Sequence, residues 1–461
     1  MDTSDTAAAV AVTVQSGDRP PPRERMDVGV PDRPKLAPGV CLRGEMRGTG
    51  FADRQWLLER DGGFIQLTEL LYRICEHADG QRTLHELAAD VGRVIERSVG
   101  PGDVRYLIAT RLMPLGLIAD AVPAGEQSPP VRSPLELNAR MKLIGAVTIE
   151  RFARPLRHLF APAAIVVLLL LVIGAHVWLY LMHGVNSGLR QLLYHPALLV
   201  AVVALTLFSG AVHELGHAAA LRYGGGRARG MGVGFYLVFP AFYTDTTESY
   251  RLRRAARIRT DLGGFYFHLL FASGVIAAAA ISGQSFLLVV ALLINLDILR
   301  QSIPLVRLDG YWALADLTGV PDLFSQAGPF LRRLLPNRRR AGSTLPPLKR
   351  WVAAAFAVYL ALVVPFLALG LFLVATRLPY VFELARESIH LQLDAFAAAR
   401  SGGDIAEMAS ALLQIVLLWL PALGGVYLIF VVARFAIGSA QRNLRRPGRI
   451  DPRTQERSET I

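Results

Sequence analysis

Residues 160–182 read FAPAAIVVLLLLVIGAHVWLYLM, a run without a charged side chain. A helix rises about 1.5 Å per residue, so this run is long enough to cross the roughly 30 Å hydrocarbon core of a bilayer. Over the whole chain of 461 residues, 52% are hydrophobic, which is high for a soluble enzyme of this size. The run and the composition together predict a membrane protein.

Further uncharged runs follow the first one, at residues 191–212, 262–296, 351–376 and 408–433. The second of these is too long for one helix and contains the turn-like sequence Ser282-Gly283-Gln284-Ser285, which divides it into two spans. Its second half is short unless it continues past Asp297. We therefore predict a mostly α fold, a polytopic membrane helical bundle of about six spans.

Basic residues alternate between the loops of this arrangement. Residues 222–261 contain eight arginines, residues 300–350 nine Lys and Arg, and the chain from Arg434 onward seven, whereas residues 183–190 contain one and residues 377–407 three. Cytoplasmic loops carry such an excess, which predicts a multi-pass protein of the cell membrane, in contact with lipid, with both termini in the cytoplasm. The formal net charge of +12 is thereby accounted for by topology, and we expect no nucleic-acid partner.

The region before the first span is polar and divides into three parts. Residues 1–44 are rich in Pro, Asp and Arg and are predicted to be a disordered tail, residues 45–125 a small domain, and residues 126–158 a linker and juxtamembrane segment. Within the domain we predict a strand, a helix, a turn at Asp79-Gly80, a second helix capped by Thr83 and Glu86, and a third helix. Two cysteines, Cys41 and Cys75, are too few for a disulfide framework or a cysteine-based zinc site.

Residues 45–125 resemble the small winged-helix domain of the pyrroloquinoline-quinone chaperone family, which binds leader peptides of ribosomally made, modified peptides. The resemblance covers about 80 residues and depends on apolar spacing and on an Asp-Gly-x-x-Thr turn. It implies a winged-helix-like α+β domain that binds a precursor peptide. An accessory helical domain without a peptide is the alternative.

A cluster of ionisable residues, His213-Glu214-Leu215-Gly216-His217, ends the second apolar run. On a helix the two histidines lie on one face, one turn apart, where both imidazoles can reach a single cation, with Glu214 adjacent. Two imidazoles are two of the three protein ligands of a catalytic zinc site, and the acid is suited to act as a general base. A chance cluster is disfavoured, because an ionised side chain at mid-membrane costs roughly 2.5 to 3.5 kcal/mol.

The third ligand has to come from a later part of the chain. Asp309 in the sequence LVRLDGYWALADL is our first choice, and Asp297 and His268 are its rivals because each is polar at membrane depth. Either rival could instead orient a ligand or contact the substrate.

The HELGH motif and the later LDG sequence resemble the site-2-protease type of intramembrane zinc metalloprotease. Residues 240–264 and 307–323 are similar to the subgroup of peptide zinc metalloproteases, and the resemblance covers roughly residues 155–325. It implies that His213, His217 and Asp309 bind one zinc ion per chain and that Glu214 is the catalytic base.

Two positions depart from that family's pattern. His268 stands where asparagine is common, and Ile303-Pro304 stands where an Asn-Pro pair often precedes the Asp-Gly. We leave two roles open for His268, a donor to the developing oxyanion and a hydrogen bond within the bundle. Residues 230–243 are predicted to form an extended hairpin, which in the family can pair with an unwound substrate; a packed loop that seals the site is the alternative.

The whole sequence therefore predicts a membrane zinc protease domain at residues 159–438, followed by a basic cytoplasmic tail at residues 439–461. With a leader-binding domain, the expected reaction is removal of the leader of a ribosomally synthesised modified peptide, for example of the daptide kind. The alternatives are a regulatory protease that cuts a membrane-bound anti-sigma-like protein, and a non-enzymatic peptide-binding or immunity protein.

Overall fold

The computed structural model describes the following residues: 12–14, 29–46, 48–60, 63–119, 138–236, 239–304, 306–320, 322–334 and 348–444. The chain forms two compact units. The first comprises residues 1–133, 139–234 and 241–366, and the second comprises residues 134–138, 235–240 and 367–461.

A four-stranded sheet with three helices forms the N-terminal part of the first unit. Its strands have the spatial order β1-β4-β3-β2, with β3 and β4 antiparallel and β1 parallel to β4. Its elements are β1 (Val12–Val14), β2 (Cys41–Glu45), β3 (Gln55–Arg60), β4 (Gly63–Thr68), α1 (Glu69–His77), α2 (Leu84–Val94) and α3 (Pro101–Leu107).

The predicted cap of the second helix is present. Thr83 accepts a hydrogen bond from the Glu86 backbone N–H, and the Glu86 side chain accepts one from the Thr83 backbone N–H, which together form a capping box. The helices pack on the sheet through fully buried side chains: Leu58, Leu67, Leu71, Ile74, Leu87, Val91, Ile108 and Leu112.

The predicted boundary of the disordered tail at residue 44 is too late. Strand β2 pairs with β3 from Cys41 onward, and Val30, Leu36 and Val40 pack against the core of the N-terminal part. These apolar side chains lie between prolines and charges, which is why composition alone predicted a tail. Residues 1–11 and 15–28 of that tail lie outside the described residues.

Helices form most of the remaining described chain: α4 (Ala146–Leu156), α5 (Pro162–Val177), α6 (Asn186–Tyr194), α7 (Leu198–Tyr223), α8 (Arg254–Ser282), α9 (Phe286–Ser302), α10 (Asp309–Thr318), α11 (Leu323–Leu334), α12 (Arg350–Gly402) and α13 (Ile405–Leu444). Helix α5 continues as a π-helical segment to His183. Among the described residues, five helical segments are long and apolar enough to cross a membrane: 162–183, 198–223, 254–282, 350–402 and 405–434. By length and composition the chain is therefore consistent with a multi-pass membrane protein.

The prediction of six spans is not confirmed. The sixth candidate is α9, which does continue past Asp297 but has only 17 residues, or about 26 Å at 1.5 Å per residue. The second span is also displaced from its predicted position at residues 191–212. Pro196 separates α6 from α7, since the residue before a proline is disfavoured in helical conformation.

Structure is also present in the predicted linker. Residues 138–145 form strand β5 (Asn138–Gly145), which joins β6 (Gly230–Tyr236) and β7 (Phe239–Thr244) in a three-stranded sheet of order β5-β6-β7. The predicted hairpin at residues 230–243 is thus two strands, and β6 is the central one. The linker residues 126–137 and the basic tail residues 445–461 lie outside the described residues.

A short loop fastens the N-terminal sheet to the helices of the same unit. The Gly50 N–H donates to the Gly319 carbonyl oxygen at 2.9 Å, and Lys349 donates its backbone N–H to the Gly50 carbonyl at 3.0 Å. Phe51 is 1% exposed and forms a bridge with Leu348. Gly319 caps the C-terminal end of α10, so this loop contacts the helix that begins with Asp309.

Candidate metal centre

The two histidines of the HELGH motif lie on one face of α7. Their Nε2 atoms are 3.0 Å apart, and the residues are 3% (His213) and 7% (His217) exposed. Helix α7 continues without a break from Leu198 to Tyr223, so both side chains project from the same buried stripe.

Asp309 completes a group of three. It occupies the first turn of α10, and its Oδ2 atom lies 2.7 Å from His213 Nε2 and 3.1 Å from His217 Nε2. Its carboxylate oxygen thus faces both imidazole nitrogens, and a carboxylate is an anionic ligand of the kind that accompanies imidazoles in zinc sites. Within the described part of the chain, these three residues form the one group with metal-ligand spacing.

A second set of contacts holds the turn that carries Asp309. Arg307 donates to both carboxylate oxygens of Asp322, at 3.0 and 2.9 Å, and the Tyr311 hydroxyl donates to the same carboxylate at 2.8 Å. These bonds connect the residues just before and just after Asp309 to one acceptor. They hold the first turn of α10, on which Asp309 lies.

A backbone carbonyl indicates which nitrogen of the His217 ring carries a hydrogen. His217 Nδ1 lies 2.7 Å from the Thr260 carbonyl oxygen on α8, and because a carbonyl only accepts, Nδ1 carries the hydrogen. In the neutral ring Nε2 then carries a lone pair, which faces Asp309 and His213. This is the form of histidine that binds a metal ion.

His268 also lies at the centre. It is 1% exposed, its Nδ1 lies 3.2 Å from His213 Nδ1, and its Nε2 lies 3.1 Å from the Ser209 carbonyl oxygen. Both of its ring nitrogens are therefore engaged inside the bundle. Of the two roles that the sequence left open, this geometry favours the hydrogen bond.

Asp297 is not part of the group formed by His213, His217 and Asp309. Its carboxylate accepts from Arg300 Nε at 2.9 Å and Nη2 at 2.6 Å, and from Gln301 Nε2 at 2.6 Å, all within the next turn of α9. A local ion pair accounts for this residue.

Glycines allow α7 and α8 to approach closely at the centre. A Cβ at Gly264 would lie 2.6 Å from His217 Nε2 and would also overlap the His213 ring, and a Cβ at Gly263 would lie 2.6 Å from the Gly216 carbonyl oxygen. Sequence reasoning missed these positions. The paired glycines in the sequence DLGGFYF were the available signal, because a glycine pair within a helix usually has a packing reason.

Glu214 lies on α7 between the two histidines and is half-buried. Its carbonyl oxygen accepts a hydrogen bond from the Thr244 hydroxyl at 3.0 Å, which places the end of β7 against this turn of the helix. A carboxylate beside the metal-ligand group can accept a proton there, as general-base chemistry requires.

The donor set fits zinc. Two imidazole nitrogens and one carboxylate oxygen are a ligand set of catalytic zinc sites, which leave a fourth position open. Ligand atoms about 2.0 to 2.1 Å from a tetrahedral zinc ion are about 3.3 Å apart, and the three donor atoms here are 2.7, 3.0 and 3.1 Å apart. A widening of a few tenths of an ångström would admit the ion. Gly264 contributes no side chain to the space beside the two Nε2 atoms.

Comparison with known proteins finds a distant relative. Over 129 residues, 27% of this chain, the sequence is 30% identical to YydH of Bacillus subtilis (strain 168), a protein named provisionally as a peptide zinc metalloprotease. The match covers 51% of YydH, so the chain spans about half the length of this curated relative. No protein-family profile and no solved structure matches the chain. The name of this relative refers to the metal that the donor set fits.

Proposed function

We propose that this chain is a membrane zinc metalloendopeptidase of the site-2-protease type, which hydrolyses a peptide bond of a membrane-associated substrate. The observation that carries the proposal is the convergence of His213, His217 and Asp309 from two helices, with Glu214 on the same turn as the histidines. The five long apolar helices among the described residues and the similarity to a protein named as a zinc metalloprotease support it.

The residues have separate tasks in this reaction. His213, His217 and Asp309 would hold zinc, which when bound lowers the pKa of a water molecule towards about 7 and polarises the substrate carbonyl. The Glu214 carboxylate accepts the proton of the attacking water and then donates it to the nitrogen of the leaving amine. The Thr260 carbonyl oxygen accepts the hydrogen of His217 Nδ1, so that in the neutral ring Nε2 is the nitrogen that can bind the metal.

Strand β7 supports a role in presenting the substrate. It is an edge strand in the order β5-β6-β7, and Thr244 at its end contacts the carbonyl of Glu214. A helical substrate hides its amides, whereas a peptide paired with an edge strand is extended and exposes its scissile bond. We infer that the substrate adds to the edge of β7 that lies opposite to β6.

The N-terminal sheet supports the capture of a second, extended segment. The edge of β4 already accepts a short strand of this chain in parallel, with Val12 opposite Ile65 and Val14 opposite Leu67. Main-chain pairing of this kind tolerates different side chains, as recognition of a leader peptide requires. In the proposal the leader of a precursor peptide takes the place of Val12–Val14.

The loop at Gly50 and Phe51 connects capture to cleavage. Since it bonds to the end of α10, a peptide held on the N-terminal sheet is held on the same unit as Asp309. The excess of basic residues in the loops favours a cytoplasmic position for both termini, and with them for the sheet. Removal of the leader of a ribosomally synthesised modified peptide, for example a daptide, is the reaction that combines these features.

Glu214→Gln tests the proposed chemistry. The substitution removes the proton acceptor and none of the three metal ligands, so the purified variant should retain about one zinc per chain and lose cleavage by about 10²- to 10⁴-fold. Cleavage is measured by mass spectrometry after co-expression with candidate precursor peptides. Glu407→Gln, in the first turn of α13, is the matched control and should cleave like the wild type.

Two outcomes would point to the alternatives. An unchanged biological output of Glu214→Gln would favour a peptide-binding or immunity protein. Cleavage of a membrane-bound anti-sigma-like protein, with no cleavage of precursor peptides, would favour regulatory proteolysis.

A further inference from the structure

We propose that His268 is a positioning residue for His213. Its Nδ1 accepts the hydrogen of His213 Nδ1 and so keeps the Nε2 lone pair of His213 directed at the metal position. This inference rests on the zinc site proposed above. It gives a role to a histidine that is not itself one of the proposed zinc ligands.

The direction of each hydrogen bond follows from the carbonyl at the end of the chain of contacts. The Ser209 carbonyl oxygen can only accept, so His268 Nε2, at 3.1 Å, carries the hydrogen. A neutral imidazole has one donor and one acceptor, which makes His268 Nδ1 the acceptor. The bond of 3.2 Å between the two Nδ1 atoms therefore has His213 as its donor.

This relay leaves the opposite nitrogen of His213 unprotonated. His213 Nε2 lies 2.7 Å from Asp309 Oδ2 and 3.0 Å from His217 Nε2, so two lone pairs and one carboxylate oxygen face one another. Without an ordered Nδ1 hydrogen, His213 could instead donate from Nε2 to Asp309. That bond would occupy the ligand positions in place of a metal ion.

The two zinc ligands on α7 are thus oriented by different means. His217 donates directly to a backbone carbonyl, that of Thr260 on α8, whereas His213 reaches a backbone carbonyl through His268. Burial increases the importance of this hydrogen bond. His268 is 1% exposed, so water cannot readily take the place of its ring as the acceptor.

Two substitutions at this position separate hydrogen bonding from packing. His268→Gln keeps a donor and an acceptor, while His268→Phe keeps the ring and loses both. Zinc affinity is measured in detergent by competition with a chromophoric chelator. Loss of an outer partner of a zinc ligand costs about 10- to 100-fold in affinity, so we expect that loss for His268→Phe and a smaller one for His268→Gln. A packing role predicts the reverse order, and wild-type affinity of His268→Phe would overturn the proposal.

A measurement on the unaltered protein covers the case in which His268→Phe does not fold. Nitrogen-15 NMR of histidine-labelled protein distinguishes the two neutral tautomers of a ring. We expect the hydrogen of His268 on Nε2 and that of His213 on Nδ1; a hydrogen on His268 Nδ1 would contradict the proposal.

Failure of this inference is distinguishable from failure of the proposed function. Zinc affinity is read in the Glu214→Gln background, where no cleavage is required. If the wild type binds zinc and cleaves no peptide while His268→Phe binds zinc weakly, the protease proposal fails and the positioning role stands. If the wild type cleaves and His268→Phe binds zinc normally, the protease proposal stands and the positioning role fails.

Discussion

Helices α7 and α8 differ from helices α12 and α13 in what they bury. The apolar segments of α7 and α8 are less hydrophobic than those of α12 and α13. The first pair buries Ser209, His213, His217, Thr260 and His268. Polar groups are expensive at membrane depth, so their concentration in one helix pair supports our assignment of the chemistry to that pair. Matched substitutions in the two pairs test this difference.

The largest difference is expected for the change of aspartate to asparagine. Asp309→Asn removes the anionic donor, and zinc affinity and cleavage should both fall by more than about 100-fold, since even an outer partner of a zinc ligand is worth 10- to 100-fold. At the start of α13, Asp404 accepts the N–H groups of Ala406 and Glu407. Asparagine caps a helix as well as aspartate does, so Asp404→Asn should leave the melting temperature and activity unchanged. Equal losses of zinc affinity and cleavage in Asp309→Asn and Asp404→Asn would contradict the proposed difference between the two helix pairs.

Loss of an arginine should also separate the two regions. Arg257 on α8 is 1% exposed and donates to Asp316 at 2.9 Å. Arg257→Gln leaves the half-buried Asp316 without its arginine partner, which should cost up to about 3 kcal/mol, the lower end for a buried pair. Arg386 on α12 forms an exposed pair with Glu383, and Arg386→Gln should have no measurable effect on thermal unfolding in detergent. A stable Arg257→Gln protein would contradict this reading of the α8 pair.

Addition of a methyl group tests the space beside the histidines. A Cβ at Gly264 would overlap both rings, so Gly264→Ala should weaken zinc binding by about 10- to 100-fold, comparable with loss of an outer partner. Gly370 on α12 has open space around its Cβ position, and Gly370→Ala should stabilise that helix by up to about 1 kcal/mol. Zinc affinity and melting temperature, measured on both variants, check the pair; normal zinc binding by Gly264→Ala would show that the centre is wider than described.

The smallest difference between the two helix pairs is expected for glycines at helix contacts that do not touch the histidine rings. At Gly263 a Cβ would lie 2.6 Å from the Gly216 carbonyl oxygen, whereas at Gly425 on α13 it would lie 2.9 Å from the end of the Leu378 side chain. Backbone cannot move aside but a leucine methyl can. Gly263→Ala should therefore cost about 1 to 3 kcal/mol, and Gly425→Ala less than that. A larger loss of thermal stability for Gly425→Ala would reverse the comparison.

Much of the candidate site was accessible from the sequence because its donors are side chains with a recognisable spacing. His213 and His217 are four residues apart on a helix, and Asp309 stands at the start of a new apolar helix. Asp297 could have been excluded as a rival ligand from the sequence. Arg300 follows it by three residues, which is the spacing of a local ion pair. The contributions of Ser209 and Thr260 were out of reach, because they act through backbone carbonyls that carry no residue-specific pattern.

The fold was predictable to a similar extent. Apolar runs located most of the long helices, and the capping box at Thr83 and Glu86 located α2. Strand β5 was missed because its sheet partners, β6 and β7, lie some 90 residues later in the chain, and strand pairing depends on such distant neighbours. The second span was misplaced because an apolar run can include Pro196, whereas a helix is interrupted at the residue before a proline.

The central claim is that His213, His217 and Asp309 hold one catalytic zinc ion. The most direct measurement is the zinc content of the purified chain, determined together for the wild type, Glu214→Gln and His217→Ala. The account predicts about one zinc per chain in the first two proteins and almost none in the third. Equal zinc content in all three, or none in the wild type after loading with zinc, would contradict it.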